Sequence, residues 1–339
     1  MTIKQAGKNL LNEILKRHGH EILASHMVYD WQRTHYTQPT YNRSVLPEGA
    51  ASYLHRDHPR LKELQSRYRH FTDEVTAPLV WREGYVRDED ILYFRGDNAY
   101  VWQLKGQNMN VMSYALTAFY VKAIDGLGLL ETLREDDFFG NFTFNIDKKV
   151  ISRDLLDSII EIYFLEKHLN TSSSRNLTLL DIGAGYGRLA HRMLSALPSV
   201  RSYLCADAIA VSTFISEYYI RHRDLADRAR AIPLDEVEET LRKQAVDIAL
   251  NIHSFSECSI SAIEWWLSLV EKYGVKHLMV VPNTPDPSGN LLLTNDRKDF
   301  GRVIEKHGYK LIAKEPKYRD PIVQKYAINP TYHYLFELR

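Results

Sequence analysis

Short apolar runs alternate with amphipathic segments throughout the C-terminal half of the 339-residue chain. The runs of strand length cover residues 177–181, 202–206, 246–251, 277–281, 309–314 and 332–337. The helical patterns between them cover residues 187–196, 212–227 and 259–273. This alternation is typical of βαβ units on a parallel sheet. No long helix separates the last two strands, so we expect an antiparallel strand at the C-terminal end of a mostly parallel sheet.

The chain before this region has a different pattern. The polar cluster at residues 171–176 predicts a boundary between a mainly helical N-terminal cap, residues 1–170, and an α/β domain, residues 171–339. Within the cap, Ser152 is the expected N-cap of a helix that continues to residue 169. A short hairpin is expected around Gly96-Asp97-Asn98, and the aromatic, polar stretch 29–43 suggests a loop or lid.

Composition limits the partners and the compartment. Lysine plus arginine and aspartate plus glutamate number 43 each, so the net charge provides no long-range attraction to nucleic acid. Two cysteines suit a reducing compartment, and the charged N-terminus lacks the apolar core of a signal peptide. We therefore expect a cytoplasmic protein that binds neither nucleic acid nor a membrane. Composition leaves open whether the protein forms a homo-oligomer.

The segment Asp181-Ile-Gly183-Ala-Gly185-Tyr-Gly187 follows the first predicted strand of the α/β domain. Glycines at such a turn allow a tight bend and let a ligand approach the backbone closely. The third glycine comes one residue too early for the dinucleotide motif G-x-G-x-x-G. The loop continues with Arg188 and Leu189, whereas a P-loop ends in Gly-Lys-Ser or Gly-Lys-Thr. Neither nucleotide-binding motif fits.

The pattern Asp-x-Gly-x-Gly-x-Gly resembles that of class I S-adenosylmethionine (SAM)-dependent methyltransferases. The resemblance implies a Rossmann-like, seven-stranded α/β domain that binds SAM and releases S-adenosylhomocysteine (SAH). It also implies that Gly183, Gly185 and Gly187 pass under the methionine and ribose parts of SAM, and that Asp181 organises the site around the amino-acid part.

Two further acids lie where this family contacts its cofactor. Asp207 follows the second strand, where the family places an acceptor for the ribose hydroxyls; a turn or capping aspartate is the alternative. Asp235 lies where an adenine-flanking loop belongs. It would contact the exocyclic amine of adenine or cap the helix that follows.

The stretch Asn251-Ile-His253-Ser-Phe-Ser-Glu257 runs from the end of the predicted strand 246–251 into the following loop. The family presents residues to the reacting methyl group at this position. His253 is the candidate general base for a hydroxyl acceptor, because neutral histidine accepts protons near pH 7. Glu257 would orient the imidazole, bind a substrate hydroxyl or help to hold a metal. Alternatively, His253 is a loop residue whose ring bonds to the backbone. The alternative for Glu257 is a residue in the first turn of the following helix, where its negative charge interacts favourably with the helix dipole. No His-x-Glu-x-His or Cys-x-x-Cys spacing occurs. A Mg²⁺ ion held by carboxylates stays open, but no sequence pattern indicates one.

The segments FFGNFTFNIDKKVISRDLLDSIIEIYFLEKHL, LLDIGAGYGRLAHRM and NIHSFSEC together resemble the bacterial sugar O-methyltransferase family. In many relatives the last loop is Asn-x-x-Ser-Phe-Gln-Glu. Asn251, Ser254, Phe255 and Glu257 match it, with Ser256 in place of glutamine. Asn251 is therefore expected at the cofactor site, and a sugar hydroxyl is the implied acceptor.

A phenol, a polyketide or another natural product remains an alternative acceptor. An alternative function is that of a protein that binds SAM without transferring the methyl group. A nucleic-acid methylase is disfavoured, because the Asn/Asp-Pro-Pro-aromatic motif is missing.

Overall fold

A computed structural model describes residues 11, 14–15, 45–71, 73–76, 79–82, 84–284, 286 and 288–339. Stretch 29–43 and almost all of the N-terminus considered for a signal peptide lie outside these residues. The described residues from 45 onward belong to one compact unit, on both sides of residue 170. The functional division at residue 170 stays a prediction. No helix within the described ranges is both long and apolar enough to cross a bilayer.

Fourteen helices and two short 3₁₀ turns lie within the described residues. The helices are α1 (Ala50–Tyr53), α2 (Pro59–Tyr68), α3 (Asp73–Thr76), α4 (Asp88–Leu92), α5 (Val111–Ile124), α6 (Leu129–Thr132), α7 (Arg153–Leu169), α8 (Arg188–Ala196), α9 (Ala210–His222), α10 (Val237–Lys243), α11 (Ser254–Glu257), α12 (Ile260–Lys272), α13 (Gly301–Lys306) and α14 (Pro321–Tyr326). The 3₁₀ turns are Phe138–Gly140 and Leu234–Glu236. Ser152 caps α7 as expected, since its side chain accepts a hydrogen bond from the Leu155 amide.

Nine strands form two sheets within the described residues. The strands are β1 (Phe144–Ile146), β2 (Lys149–Ile151), β3 (Leu177–Ile182), β4 (Val200–Ala206), β5 (Ala229–Ile232), β6 (Ile248–His253), β7 (His277–Pro282), β8 (Tyr309–Pro316) and β9 (Tyr332–Leu338). The large sheet has the order β5-β4-β3-β6-β7-β9-β8. Strands β3 to β7 pair in parallel, and β9 pairs antiparallel with both β7 and β8. This confirms the Rossmann-like, mostly parallel seven-stranded sheet with an antiparallel C-terminal strand.

All six predicted strands are present, but the sequence pattern missed β5. This edge strand is only four residues long and carries the exposed Arg230, so it has no apolar run. The hairpin predicted around Gly96-Asp97-Asn98 is wrong. The Asp97 side chain instead accepts hydrogen bonds from the Gln103 and Leu104 amides, which closes an irregular loop. The short antiparallel pair is β1 with β2.

The core lies on both faces of the large sheet. Leu180 and Ile182 of β3 belong to one buried apolar cluster, and Leu179 of the same strand belongs to the other. Helices α9, α10 and α12 contribute to the first cluster, and α5, α7 and α8 to the second. The sheet is therefore doubly wound, with its strand order reversing between β3 and β6. In such sheets ligands bind at the carboxyl ends of the strands beside this reversal.

Candidate active site

A cavity of about 700 Å³ lies at the carboxyl ends of β3, β4 and β6. Its floor includes the glycine loop after β3, and its rim includes Asp207 after β4 and His253 at the end of β6. Aromatic side chains from the segment before β1 also line the cavity. The structure therefore brings most of the predicted site residues together around one cavity.

The three glycines of the loop all have left-handed φ angles, of +74° at Gly183, +57° at Gly185 and +86° at Gly187. A Cβ at Gly183 would lie 2.1 Å from the Ser254 Oγ, and one at Gly187 would lie 3.1 Å from the Ser216 Oγ. Backbone angle and packing within the protein thus already require glycine at 183 and 187.

Two carboxyl groups flank the glycine loop. The Asp181 carboxyl is buried and accepts a hydrogen bond of 2.9 Å from the Tyr203 hydroxyl. The Asp207 carboxyl accepts hydrogen bonds from the Gly185 amide at 3.0 Å and the Ile209 amide at 2.8 Å. Burial raises the pKa of each carboxyl to about 7. Asp207 therefore closes the glycine loop and also faces the cavity, as an acceptor for ligand hydroxyls must.

Asn251 does not line the cavity. Its side chain is fully buried, donates to the Ile182 carbonyl at 2.9 Å and accepts from the Phe255 amide at 2.8 Å. These two bonds join the end of β3 to α11. The residue therefore positions the loops that border the cavity instead of presenting its amide to a ligand.

His253 lines the cavity at the end of β6 with a φ of +71°. Histidine is one of the side chains enriched at such angles, so the backbone already favours a limited set of residues here. Burial, with help from the positive charge of Arg153, lowers the pKa of the imidazole well below 6.5. The ring is therefore neutral near pH 7, which leaves it free to accept a proton.

Glu257 also lines the cavity but is not held by His253. One carboxylate oxygen accepts from the Trp81 indole N–H and the other accepts from the Asn283 amide at 2.8 Å. Its carbonyl accepts from the Leu79 amide at 2.8 Å, and burial raises the pKa of its carboxyl. Glu257 instead anchors the segment that contains Leu79 and Trp81.

The adenine contact predicted for Asp235 needs correction. Asp235 lies in the 3₁₀ turn before α10, outside the cavity lining, and its carboxylate accepts two bonds from Arg67 of α2, at 2.7 and 2.9 Å. It makes no side-chain capping bond to α10 either. An arginine more than 160 residues away in sequence holds this side chain at the surface, and no local pattern could reveal that pairing.

Several cavity residues were missed by sequence reasoning. Tyr100 packs over Gly185, where its ring would lie 3.7 Å from an added Cβ. Arg153, the first residue of α7, and Arg188, directly after the glycine loop, also line the cavity. Arg153 donates to the Trp102 carbonyl at 2.7 Å. Arg188 was visible as the residue that ruled out a P-loop, but nothing local indicated that Tyr100 or Arg153 would reach the same cavity.

No group of three histidine, cysteine, aspartate or glutamate side chains within the described ranges is arranged to hold a metal ion. The carboxyl groups that face the cavity are instead bonded to backbone amides or to neutral side chains. Their present contacts suit hydrogen bonding to an organic ligand.

No protein-family model matches the chain, and no curated protein matches its sequence. Solved structures are similar in part. The [4+2]-cyclase SpnF is 15% identical, with a TM-score of 0.38, over 67% of this chain and 94% of that chain. Magnesium protoporphyrin IX methyltransferase (ChlM) from Synechocystis PCC 6803, with bound SAM, is 10% identical, with a TM-score of 0.36, over 54% of this chain and 77% of that chain.

A third structure, the precorrin-6y C5,15-methyltransferase from Geobacter metallireducens GS-15, is 13% identical, with a TM-score of 0.34, over 53% of this chain and 88% of that chain. Similarities at this level assign no activity. What the strand order and the cavity define is a class of architecture, a Rossmann-like α/β domain with a ligand cavity at its topological switch point. The resemblance to sugar O-methyltransferases stays a prediction. The function of the protein is therefore inferred from the residues that line the cavity.

Proposed function

We propose that the protein is a SAM-dependent O-methyltransferase that acts on a hydroxyl of a sugar or glycan. The observation that carries the proposal is the position of Asp207. Its carboxyl closes the glycine loop through the Gly185 amide and faces a cavity at the switch point of the sheet. A carboxylate in that position can accept hydrogen bonds from the two ribose hydroxyls of a nucleoside.

The residues around the cavity suit the parts of SAM. Asp207 would hold the ribose, and the backbone of the glycine loop would lie along the ribose and methionine parts. Asp181 would face the amino group, and Arg153 and Arg188 would supply positive charge for the carboxylate. When bound, SAM supplies an electrophilic methyl group to the acceptor oxygen and leaves as SAH.

His253 would take the proton of the acceptor hydroxyl at a ring nitrogen, and Glu257 would border the acceptor. The wall of aromatic side chains that lines the cavity supports a ring-shaped acceptor, because aromatic faces pack well against the apolar faces of such rings. Enclosure of the hydroxyl between this wall and His253 would exclude water and align the reacting atoms.

Binding of SAM to the wild-type protein is expected to release close to one proton at pH 6 and almost none at pH 8. The pKa of Asp207 is about 7 without ligand, so the group is mostly protonated at pH 6. Hydrogen bonds from the ribose hydroxyls favour the ionised form and lower this pKa. Affinity should therefore weaken by up to about tenfold per pH unit below pH 7. Calorimetry in buffers of different ionisation enthalpy measures the proton count.

The Asp207→Asn variant is the control for this prediction. We expect it to bind SAM about 10- to 100-fold more weakly and to lose most of the proton release, because the amide cannot ionise. Asp181, with a similar pKa, accounts for any release that remains. Unchanged affinity in Asp207→Asn would contradict the ribose assignment.

Substitution of His253 by asparagine is expected to lower kcat by at least about 100-fold and to leave the Kd for SAM within a factor of about two. Asparagine tolerates the left-handed φ of residue 253, so the backbone is preserved while the base is lost. Because the imidazole pKa is far below 6.5, kcat of the wild-type enzyme should show no histidine ionisation above pH 6.5. Full activity in His253→Asn would remove the assignment of the base.

The test of the overall proposal is transfer of a labelled methyl group from SAM to a panel of acceptors. Methyl glycosides, nucleotide sugars and short oligosaccharides represent the proposed class, and phenols represent the flat acceptors that an aromatic wall would also suit. Labelling of phenols alone would replace the sugar by an aromatic acceptor. A protein that binds SAM and SAH but labels none of these compounds would fit a non-catalytic binding protein.

A further inference from the structure

The carboxylate of Glu257 lacks a cationic partner among the described residues, although it lies part-buried in the cavity wall. Both of its hydrogen-bond donors, the Trp81 indole and the Asn283 amide, are neutral. Several buried carboxylates elsewhere in the structure do contact a cation. Glu135 lies 2.6 Å from an Arg95 nitrogen, and Asp157 lies 2.6 Å from the Lys317 ammonium. Glu257 therefore carries an electrostatic cost that a positively charged ligand would relieve.

Aromatic rings surround the same part of the cavity. The Trp81 ring lies 5.4 Å from the Tyr85 ring and 5.0 Å from the Tyr100 ring, measured between centroids. The planes are inclined by 67° and 55°, so the rings are not stacked on one another. All three rings line the cavity, as does Glu257. Inclined aromatic faces beside a carboxylate are the arrangement that favours an organic cation, through the ring quadrupoles and the opposite charge.

The surrounding charges fit the same ligand. Burial is the main cause of the raised pKa of Asp207, and the negative charges of Asp181 and Glu257 add to it. A cation between Asp207 and Glu257 would stabilise the ionised forms of both. Arg188 and Arg153, the arginines that line the cavity, contact Glu161 at 2.9 Å and Asp157 at 3.0 Å, and neither forms an ion pair with Glu257.

We propose that Trp81, Tyr85, Tyr100 and the carboxylate of Glu257 form a binding site for a small organic cation, which we call the aromatic corner. The inference rests on the proposed function, which supplies the two candidate ligands, SAM and a sugar acceptor. The positive group has two possible sources, the sulfonium of SAM or a protonated amine on the acceptor. In the first case the aromatic corner distinguishes SAM from the neutral product SAH. In the second it selects an amino sugar over the corresponding neutral sugar.

The first experiment compares the Kd values of SAM and SAH, which differ by one methyl group and one positive charge. Calorimetry would be done on the wild-type protein, on Glu257→Gln and on Glu305→Gln, a matched control on the exposed face of α13. If the sulfonium occupies the aromatic corner, Glu257→Gln weakens SAM binding about tenfold and SAH binding less than twofold. Glu305→Gln changes neither Kd.

The second experiment tests the acceptor as the source. With SAH bound, saturation-transfer NMR compares methyl glucosaminide with methyl glucoside, which differ by an ammonium in place of a hydroxyl. If the ammonium occupies the aromatic corner, the wild-type protein prefers the glucosaminide at pH 7 and Glu257→Gln loses that preference. Tyr85→Leu, at a ring that is 36% exposed, removes one aromatic face without a large cavity in the core and should reduce the same preference.

Each outcome bears on a different statement. A changed ratio of the SAM and SAH Kd values in Glu257→Gln, or a reduced amine preference in Glu257→Gln and Tyr85→Leu, supports the aromatic corner and names its ligand. If Glu257→Gln leaves that ratio unchanged and the wild-type protein shows no preference for the amine, the aromatic corner is not a cation site. The proposed function would survive that result. If the wild-type protein binds neither SAM nor SAH, the proposed function fails and the inference fails with it.

Discussion

Gly183→Ala is expected to lower the free energy of unfolding by about 3 kcal/mol or more and to abolish measurable binding of SAM. An alanine at a φ of +74° costs about 1 to 2 kcal/mol by itself. In addition, its Cβ would lie 2.3 Å from the Ser254 Cβ, which cannot move without displacing its own backbone. Overpacking of this kind adds about 1 to 3 kcal/mol. Relief of the overlap would push the glycine loop away from the loop that carries His253.

Gly274→Ala provides the matched control for the backbone effect. Gly274 has a similar φ of +63°, but an added Cβ would meet no atom within 4 Å. This variant should therefore show only the backbone cost, about 1 to 2 kcal/mol by chemical denaturation. The overlap itself is tested by Ser254→Gly in the Gly183→Ala background, which should recover the difference between the two glycine variants. Equal destabilisation of Gly183→Ala and Gly274→Ala would show that contact with Ser254 has no energetic weight.

Arg95→Met is expected to lower the free energy of unfolding by about 3 to 5 kcal/mol at pH 7. Arg95 is fully buried, and its guanidinium lies 2.6 Å from both Glu135 and Asp136 and 3.4 Å from Asp154. Asp154 in turn accepts a hydrogen bond from Tyr186 in the glycine loop. Loss of Arg95 would leave these three carboxylates with too little positive charge, and two of them, Glu135 and Asp154, are shielded from water.

The pH dependence separates this electrostatic cost from a packing defect. In the wild-type protein, the neighbouring arginines hold the pKa of Glu135 at about 2, so its contribution to stability is lost only as the pH falls towards that value. In Arg95→Met the carboxyl pKa values rise, and one protonation removes the uncompensated charge. The destabilisation should therefore shrink between pH 7 and pH 4. A deficit that stays constant over this range would indicate packing instead, and Arg302→Met, at an 87% exposed side chain, should leave the melting temperature unchanged.

Much of the α/β domain could be predicted because its signals are local. Alternating apolar runs located six strands of the large sheet, and the Asp-x-Gly-x-Gly-x-Gly loop was placed correctly at the first strand-to-helix turn. The four-residue β5 was missed because its one exposed arginine left no apolar run to detect. The hairpin expected at Gly96 was wrong because the Asp97 side chain bonds to backbone amides six and seven residues later.

The residues of the candidate site were also predicted only in part. Most of the predicted site residues line the cavity, because strand ends on one edge of a parallel sheet converge: Asp181, Gly183, Gly185, Asp207, His253 and Glu257. Gly187 was expected at the cofactor and instead lies outside the lining, packed against Ser216. Asn251 was expected at the cofactor and instead joins two loops, a distinction that depends on which way its side chain points. Asp235 was expected at the adenine and instead forms an ion pair with Arg67, which belongs to a helix from the N-terminal region.

The sequence by itself determined the type of sheet, the position of the glycine loop and the acids that follow its strands, since each depends on residues that are neighbours in the chain. Only the tertiary structure decided what closes the cavity and what each acid contacts. Trp81 meets Glu257 across 176 residues, and Tyr100 covers Gly185 from a loop without regular structure. Such pairs are selected by the packing of whole elements, because hydrophobic burial brings distant segments together and the polar groups trapped between them must then find partners.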